Sequence, residues 1–242
     1  MIFNKFFILF KIGRKIGKSN IINIISETHK IPVFIKIFFN LLAFSFSSPR
    51  DMKGKDNLST SIQEMGTTFI KLGQFLATRP DIIGEKLSKE LESLQDKLPP
   101  FSKKEAEKII IENLGQSNFD DIIDLSEPIA AASIAQVHKA KIKEDNIIKN
   151  VAIKVLRPNI KKIFNDEIDA IMLLAYIIEN LITKTKRLKL IEVVFLFKEI
   201  TNHEMDLRFE AAAANEYAEN TKNDLGFFVP KIYWNFTSES VL

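Results

Sequence analysis

The chain has 242 residues, enough for one large or two small domains with a real hydrophobic core. It contains no cysteine, which excludes disulfides, thiolate metal sites and a cysteine nucleophile. The net charge is only +3, but residues 1–50 carry eight Lys and Arg side chains against Glu27 alone, a local charge of +7 that leaves −4 for the rest. Because the basic character belongs to one end, the charge argues against general nucleic-acid binding.

That basic end is also apolar, with phenylalanine-rich runs at residues 3–10 and 31–46. The second run contains Pro32 and is shorter than the roughly 20 residues that a membrane-spanning helix needs. A basic, apolar segment without a clean span suggests a helix that lies on an anionic membrane surface. Packing on the protein's own core or on a partner is the alternative. Residues 47–56 are polar and rich in turn formers, which predicts a linker.

A helix is predicted to begin near residues 57–61 and to stop before Pro80, since the residue before a proline is pushed out of the α region. Lys71 and Gln74 share one face of it, as residues three apart do. Gly73 lies inside this helix at a cost of about 1 kcal/mol relative to alanine. That cost suggests the close approach of another backbone or a ligand, and a surface helix with one unfavourable glycine is the alternative.

Two further helices are predicted before the composition changes. Leucines at helical spacing favour an amphipathic helix over residues 84–96. Ser102 and Glu105 form a capping box at the start of a third helix, and Gly115 is its predicted stop. Residues 57–115 are therefore predicted to be helical.

The next stretch predicts an antiparallel meander. Residues 128–142 are typical of a strand, a tight loop of small residues and a second strand, and residues 151–155 predict a third strand. Short connections between consecutive strands favour antiparallel pairing.

Two long helical patterns and one strand pattern complete the chain. The helices are predicted over residues 160–184 and 188–219, the second with a break near Thr201. The apolar and aromatic residues 228–236 predict a strand.

The third strand ends in Val-Ala-Ile-Lys, and this order of strands is typical of the N-lobe of kinases. There the lysine pairs with the α- and β-phosphates of a nucleotide and with a helix glutamate, and the loop covers the phosphates. Lys154 occupies the lysine position; an edge lysine with its stem on the sheet is the alternative. The loop lacks Gly-x-Gly-x-x-Gly and has Ala130, Ala131, Ala132 and Ser133 instead. Alanine limits how closely backbone amides approach phosphate, and a plain alanine-containing turn is the alternative.

An acidic motif contains Glu204, Asp206 and Glu210. On one helix, Asp206 and Glu210 would share a face, whereas Glu204 and Glu210 would point about 120° apart. Such a helix could offer Glu210 to the strand of Lys154 and Glu204 to a different neighbour. A solvated acidic face is the alternative.

Together these motifs resemble the UbiB family of atypical kinase-like proteins, which is linked to ubiquinone biosynthesis. The resemblance rests on Lys71-x-Gly73-Gln74, on Leu94-Gln95-Asp96 followed by Pro99-Pro100-Phe101, on the alanine-rich loop, and on the Glu-x-Asp motif with its helix glutamate. It implies that Glu210 pairs with Lys154 and orients it. It also implies that Glu204 and Asp206 meet the helix with Lys71, Gly73 and Gln74, which lies over the site where a protein substrate would bind. These five are the gating residues. The alanine-rich loop implies an altered nucleotide preference and little ordinary protein-kinase activity.

The predicted fold class is α+β, a helical extension joined to a protein-kinase-like N-lobe with an antiparallel sheet and inserted helices. The predicted division is a basic apolar tail and linker at 1–56, the Lys-x-Gly-Gln extension at 57–125 and the N-lobe at 126–242. The sequence contains no Asp-Phe-Gly and no His-x-Asp catalytic loop, and its three histidines are scattered. No catalytic residue and no metal site is therefore predicted.

The family resemblance implies ATP, or ADP, with Mg²⁺ in the complete protein, at a cytoplasmic location peripheral to the inner membrane. We expect this chain to be the N-terminal portion of such an ATPase or kinase, with the C-lobe absent and little turnover alone. Its expected partners are a C-lobe chain in trans and an anionic membrane surface or lipid, and not nucleic acid. The alternative is a non-enzymatic membrane-surface or interaction module.

Overall fold

The structure is a computed structural model that describes residues 2–19, 21, 37, 58–94, 98–144, 147–181 and 183–242. The α-helices in this part of the chain are α1 (Ile2–Lys18), α2 (Leu58–Met65), α3 (Thr67–Ala77), α4 (Pro80–Ile83), α5 (Glu85–Glu92), α6 (Lys103–Leu114), α7 (Gln116–Asp120), α8 (Ile160–Leu181), α9 (Leu190–Glu204) and α10 (Leu207–Asn220). The strands are β1 (Ile122–Ile123), β2 (Pro128–Ala131), β3 (Ala135–Glu144) and β4 (Ile147–Leu156). The predicted α+β class is confirmed.

Contacts divide the chain into two compact units. The helical unit comprises Met1–Asp96 and Lys162–Lys198, and the sheet unit comprises Lys97–Lys161 and Glu199–Leu242. The predicted domain boundaries after residues 56 and 125 stay predictions. Most of the residues between 20 and 57, which carry the predictions of the second apolar run and the linker, lie outside the described part of the chain.

In the helical unit, the helix predicted from residue 57 to Pro80 is interrupted once. Gly66 separates α2 from α3 with φ of 102°, a left-handed conformation that favours glycine. The stop before Pro80 is confirmed, since α3 ends at Ala77 and Pro80 is the first residue of α4. The predicted helix over 84–96 is shorter, because α5 ends at Glu92.

Gly73 allows close packing of α3, but by side chains. A Cβ at this position would overlap Cδ1 of Leu94 and lie 3.3 Å from Cγ2 of Ile62 on α2. Among the described residues, the atoms nearest to that Cβ belong to side chains and not to a backbone. The predicted close approach is therefore found, but not from a backbone, and a ligand contact at Gly73 stays a prediction.

Polar and aromatic contacts join the other helices of this unit. On α1, the Lys15 ammonium donates to the Met65 carbonyl at the end of α2 (2.8 Å) and lies 3.6 Å from the Glu167 carboxylate of α8. The rings of Phe75 on α3 and Phe197 on α9 have centroids 5.6 Å apart. Within the described residues, no helix is both long and apolar enough to cross a bilayer.

The sheet is built around β3. This strand pairs with β4 along its whole length, and both β1 and β2 pair with its other edge. All pairs are antiparallel, so the predicted meander of β2, β3 and β4 is confirmed. Strand β1 is not among the sequence predictions, because two residues are too few to show a periodicity.

One face of the sheet carries the core of the sheet unit. Ile110 of α6 packs with Ala140, Ile153 and Val155 of the sheet, together with Val241 near the end of the chain. The capping box that begins α6 is confirmed, since the Ser102 hydroxyl accepts from the Glu105 amide while the Glu105 carboxylate accepts from the Ser102 amide.

Two predictions for the end of the chain are wrong. The helix predicted over 188–219 breaks not near Thr201 but at Met205 and Asp206, between α9 and α10. Residues 228–236 do not form a strand: they are irregular apart from a 3₁₀ turn at Trp234–Phe236. Their apolar and aromatic residues are typical of a strand, but no described strand pairs with them.

Candidate nucleotide-binding site

Lys154 lies on the sheet face opposite the core. In the register of the sheet, Val137 of β3 is the partner of both Ala130 on β2 and Lys154 on β4. Directly paired residues share a face of an antiparallel sheet, whereas successive residues alternate. Ala130, Val137 and Lys154 therefore form a row across three strands, and the buried neighbours Ile153 and Val155 point to the core.

The Lys154 side chain is paired with Glu210 in the first turn of α10. Its ammonium donates to both carboxylate oxygens, at 2.8 and 2.6 Å, and the exposed fractions are 28% for Lys154 and 51% for Glu210. The backbone of Lys154 exchanges hydrogen bonds of 2.6 and 2.9 Å with Leu242. An ammonium has three donors, so bidentate pairing with Glu210 leaves donor capacity for a phosphate oxygen.

Asp206 begins the helix that carries Glu210. It is the N-cap of α10, and its carboxylate accepts from the Arg208 backbone amide at 3.1 Å and from the Arg208 guanidinium at 2.9 and 2.6 Å. These side-chain hydrogen bonds hold the pKa of Asp206 below its usual value, since they favour the charged carboxylate. Because capping fixes where a helix starts, Asp206 helps to place Glu210 beside Lys154.

The one-helix geometry predicted for the acidic motif is wrong. Glu204 is the last residue of α9, whereas Asp206 has extended backbone angles ahead of α10. The angles predicted between Glu204, Asp206 and Glu210 therefore do not apply. The motif belongs to the sheet unit and the helix with Lys71, Gly73 and Gln74 belongs to the helical unit, so their predicted meeting stays a prediction.

The alanine-rich loop is tighter than predicted. Ala130 and Ala131 still belong to β2, and only the residues from Ala132 to Ile134 form the turn. The turn closes with a 2.8 Å hydrogen bond from the Ala132 amide to the Ala135 carbonyl, and Ser133 is fully buried. Its predicted role as a phosphate cover stays a prediction.

Arg157 follows β4 and contacts this turn, a role that no motif in the sequence predicts. Its guanidinium donates to the Ala132 carbonyl through Nε at 3.1 Å and Nη2 at 2.7 Å. Gln136 and His138 are buried as well, which is not among the sequence predictions. The available signal for their burial is their position on β3, since both lie on the same face of the strand as the core residues Ala140 and Ile142.

Known proteins resemble this chain over most of its length. The model of the ABC1 atypical kinase-like domain matches residues 93–242. The chain is 35% identical to a probable protein kinase UbiB of Marinobacter nauticus over 88% of its own length and 39% of the relative's. It is 37% identical to the protein of the same name from Cellvibrio japonicus over 84% of its length and 36% of the relative's.

Another relative with this name, from Vibrio cholerae, is 37% identical over 77% of the chain and 34% of its own length. The chain thus spans less than half the length of the curated relatives that it matches. The family model covers well over half of the chain and includes Lys154, Arg157 and Glu210. The chain therefore belongs to the ABC1 atypical kinase-like family, as its resemblance to UbiB proteins predicted.

Proposed function

We propose that this chain contributes the nucleotide-binding face of a UbiB-type atypical kinase or ATPase that supports ubiquinone biosynthesis. The observation that carries the proposal is the Lys154–Glu210 ion pair on an open sheet face, beside a tight turn of small residues. A lysine held in this way by a helix glutamate is the arrangement that kinases use to bind the α- and β-phosphates.

The residues have distinct roles in this proposal. Lys154 binds the phosphates of ATP or ADP, and Glu210 orients its ammonium. The segment from Ala130 to Ser133 covers the nucleotide. The gating residues of the proposal are Lys71, Gly73, Gln74, Glu204 and Asp206.

The described residues fit a nucleotide better than they fit its metal. Lys154 supplies a cation for phosphate oxygens, but no group of three or more His, Asp or Glu side chains in the described part of the chain could hold a metal ion. Mg²⁺ would therefore enter the site already bound to the nucleotide. The sequence has no Asp-Phe-Gly or His-x-Asp to bind the metal or position a nucleophile. We propose that a C-lobe provides those groups, either within the same polypeptide or as a separate chain.

A binding measurement with a matched control tests the proposal. The protein is expressed from its natural gene, with and without each substitution. We expect Lys154→Ala to weaken the binding of a fluorescent ATP analogue at least about tenfold, since one charge-assisted contact to phosphate is lost. Lys139→Ala is the control, because Lys139 is an exposed lysine on the same sheet face. Equal affinities for both variants and the unsubstituted protein would contradict the assignment of Lys154.

A specific observation also favours contact with a membrane surface. On α1, Phe7 and Phe10 are 57% and 43% exposed, and Lys11 lies over the Phe7 ring at 4.6 Å. Exposed aromatic rings next to cations are typical of helices that lie on anionic bilayers. We propose a cytoplasmic protein that associates peripherally with the inner membrane through α1, which is also compatible with the non-enzymatic alternative.

Vesicle flotation tests this contact. We expect the double variant Phe7→Glu, Phe10→Glu to lose binding to vesicles that contain an anionic phospholipid, because it removes apolar anchors and adds negative charge. The control replaces two exposed aromatic residues of the sheet unit, Phe227→Glu and Phe228→Glu. If both double variants float like the unsubstituted protein, α1 is not the membrane contact.

A further inference from the structure

Arg157 links the alanine-rich turn to a segment that precedes it by more than thirty residues. Besides its two hydrogen bonds to the Ala132 carbonyl, its guanidinium donates to the carbonyls of Pro99 (3.0 Å) and Leu98 (3.4 Å). The guanidinium carbon also lies 5.9 Å from the centroid of the Phe101 ring. The backbone amide of Arg157 donates to the Ile134 carbonyl at 2.8 Å, so main chain and side chain both hold the turn.

Gln136 provides a second link between the same two segments. Its amide oxygen accepts from the Phe101 backbone amide at 2.9 Å, and its amide nitrogen donates to the Phe101 carbonyl at 3.2 Å. The side chain of Gln136 thus pairs with Phe101 as a neighbouring strand would. Gln136 is almost completely buried, so these groups have no water to replace a lost partner.

His138 completes the hydrogen bonding of Gln136. Nδ1 of His138 lies 2.8 Å from the Ser126 carbonyl, which can only accept, so Nδ1 carries the proton. Nε2 then accepts from the Gln136 amide nitrogen at 2.9 Å. The amide of Gln136 therefore uses its oxygen and both of its N–H groups, which fixes the orientation of the side chain.

The segment from Leu98 to Phe101 is well suited to hold another loop in place. Pro99 and Pro100 have fixed φ angles and no N–H group, so this segment is stiff and presents carbonyl groups. A guanidinium is a planar fork of donors that suits several carbonyls at once. Hydrogen bonds from a charged donor are also stronger than those between neutral groups.

The contact with the Ala132 carbonyl has a consequence for phosphate binding. A peptide unit is planar and trans, so the N–H of Ser133 points opposite to the carbonyl of Ala132. When Arg157 fixes the direction of that carbonyl, it also fixes the direction of the Ser133 amide. Ser133 is fully buried, so its amide does not itself reach a phosphate. Arg157 therefore acts on a bound nucleotide through the conformation of the whole turn.

We propose that Arg157 and Gln136 form a clamp through which the segment from Leu98 to Phe101 positions the alanine-rich turn over the nucleotide. Arg157 is then a positioning residue, since it acts through the turn. This inference rests on the proposed nucleotide-binding function for its consequence, but the clamp itself can be tested without any nucleotide. Pro99 and Pro100 then also help to fix the position of the turn, although they are distant from it in sequence.

The absence of cysteine allows a clean test with a single spin label. A nitroxide at I129C, an exposed position of β2 beside the turn, reports its mobility by electron paramagnetic resonance. We expect Arg157→Lys and the double variant Pro99→Gly, Pro100→Gly each to increase the label's mobility when it is measured well below their melting temperatures. Lysine keeps the positive charge but lacks the planar set of donors that contacts several carbonyls at once, so it should not rescue the clamp.

Lys141→Ala is the control, because Lys141 of β3 is half-buried and pairs with Asp124 away from the turn. We expect it to leave the mobility of the label unchanged. An unchanged spectrum in Arg157→Lys, or in the proline variant, would overturn the clamp. An equal increase in the control would overturn it as well, since the effect would not be local.

A nucleotide titration of the same variants separates the two proposals. We expect Arg157→Lys to bind the fluorescent ATP analogue about tenfold more weakly, because the turn that covers the nucleotide is no longer held in one conformation. If the unsubstituted protein binds no nucleotide but the label becomes mobile in Arg157→Lys, the proposed function fails and the clamp stands. If nucleotide binds equally well to both while the label becomes mobile, the clamp does not position the turn for nucleotide.

Discussion

The two faces of the β3–β4 hairpin use polar side chains in opposite ways. On the core face, Gln136 and His138 are buried, and each hydrogen bond joins them to a fixed partner. On the open face, Lys154 and Glu210 form an ion pair that water can reach. A buried polar group cannot lose a partner without a large cost, whereas an exposed ion pair is worth little and can accept a ligand. The core face therefore determines structure, and the open face is available for binding.

The largest expected effect comes from breaking the core face at its apolar centre. We expect Ile110→Ala to lower the free energy of unfolding by about 3 kcal/mol, because it leaves a cavity under the sheet. Chemical denaturation followed by circular dichroism measures this. The control, Ile148→Ala, changes a residue that is 60% exposed on β4 and should stay within about 0.5 kcal/mol. Similar losses for both variants would mean that Ile110 of α6 does not lie in the core of the sheet unit.

A somewhat smaller effect is expected when the buried amide is removed. Gln136→Leu keeps the volume but leaves the backbone groups of Phe101 and a nitrogen of His138 without their partner. We expect a loss of about 2 kcal/mol in the same denaturation experiment. A loss below that of an ordinary exposed substitution would show that water replaces the amide, and the contrast between the two faces would fail.

Substitutions of Asp206 should lower the free energy of unfolding less than those on the core face and more than those on the open face. The loss should also depend on pH. Asp206→Ala should lower the free energy of unfolding by about 1 kcal/mol through loss of the N-cap, whereas Asp206→Asn keeps a capping oxygen and should lose less. The pKa of Asp206 is lower in the folded protein than its reference of 3.8. Its charge therefore stabilises the fold above pH 3.8, and this contribution disappears as the pH falls through the folded pKa.

The pH dependence is checked by denaturation at several pH values. We expect the difference in stability between the unsubstituted protein and Asp206→Asn to be constant near neutral pH and to shrink below 3.8. A difference that grows on acidification would contradict the pairing of Asp206 with Arg208 as the cause of the lowered pKa.

The smallest effect on stability is expected at the open face. Lys154→Ala should change the free energy of unfolding by less than about 1 kcal/mol, because exposed ion pairs contribute little. A loss as large as that of Ile110→Ala would mean that Lys154 is structural rather than available for a ligand. Denaturation of both variants under one set of conditions decides this.

Local sequence signals predicted the elements whose causes are themselves local. The capping box at Ser102 and the stop at Pro80 depend on a few neighbouring residues, and both are found in the structure. The break at Asp206 was missed because an aspartate inside a helical pattern and an N-cap aspartate look the same in sequence. The strand predicted at 228–236 failed for a different reason, since a strand also needs a partner that the pattern does not contain.

The candidate site was predictable in part. Lys154 and Glu210 come from motifs with a known order along the chain, and the structure brings them together. Arg157 and Gln136 have no such motif, because their partners are backbone groups of a segment over thirty residues away. Contacts to backbone leave no signature in the partner's side chains. The clamp could therefore be found only from the structure.

Covalent labelling of Lys154 tests the central claim most directly. An acyl phosphate of ATP transfers its acyl group to a lysine next to the bound phosphates: an amide forms at Nζ, the acyl–phosphate bond breaks and ATP leaves. We expect mass spectrometry to find the label on Lys154, with excess ATP preventing the reaction, and to find little on Lys139 of the same face. Equal labelling of both lysines, unaffected by ATP, would contradict a nucleotide site at Lys154.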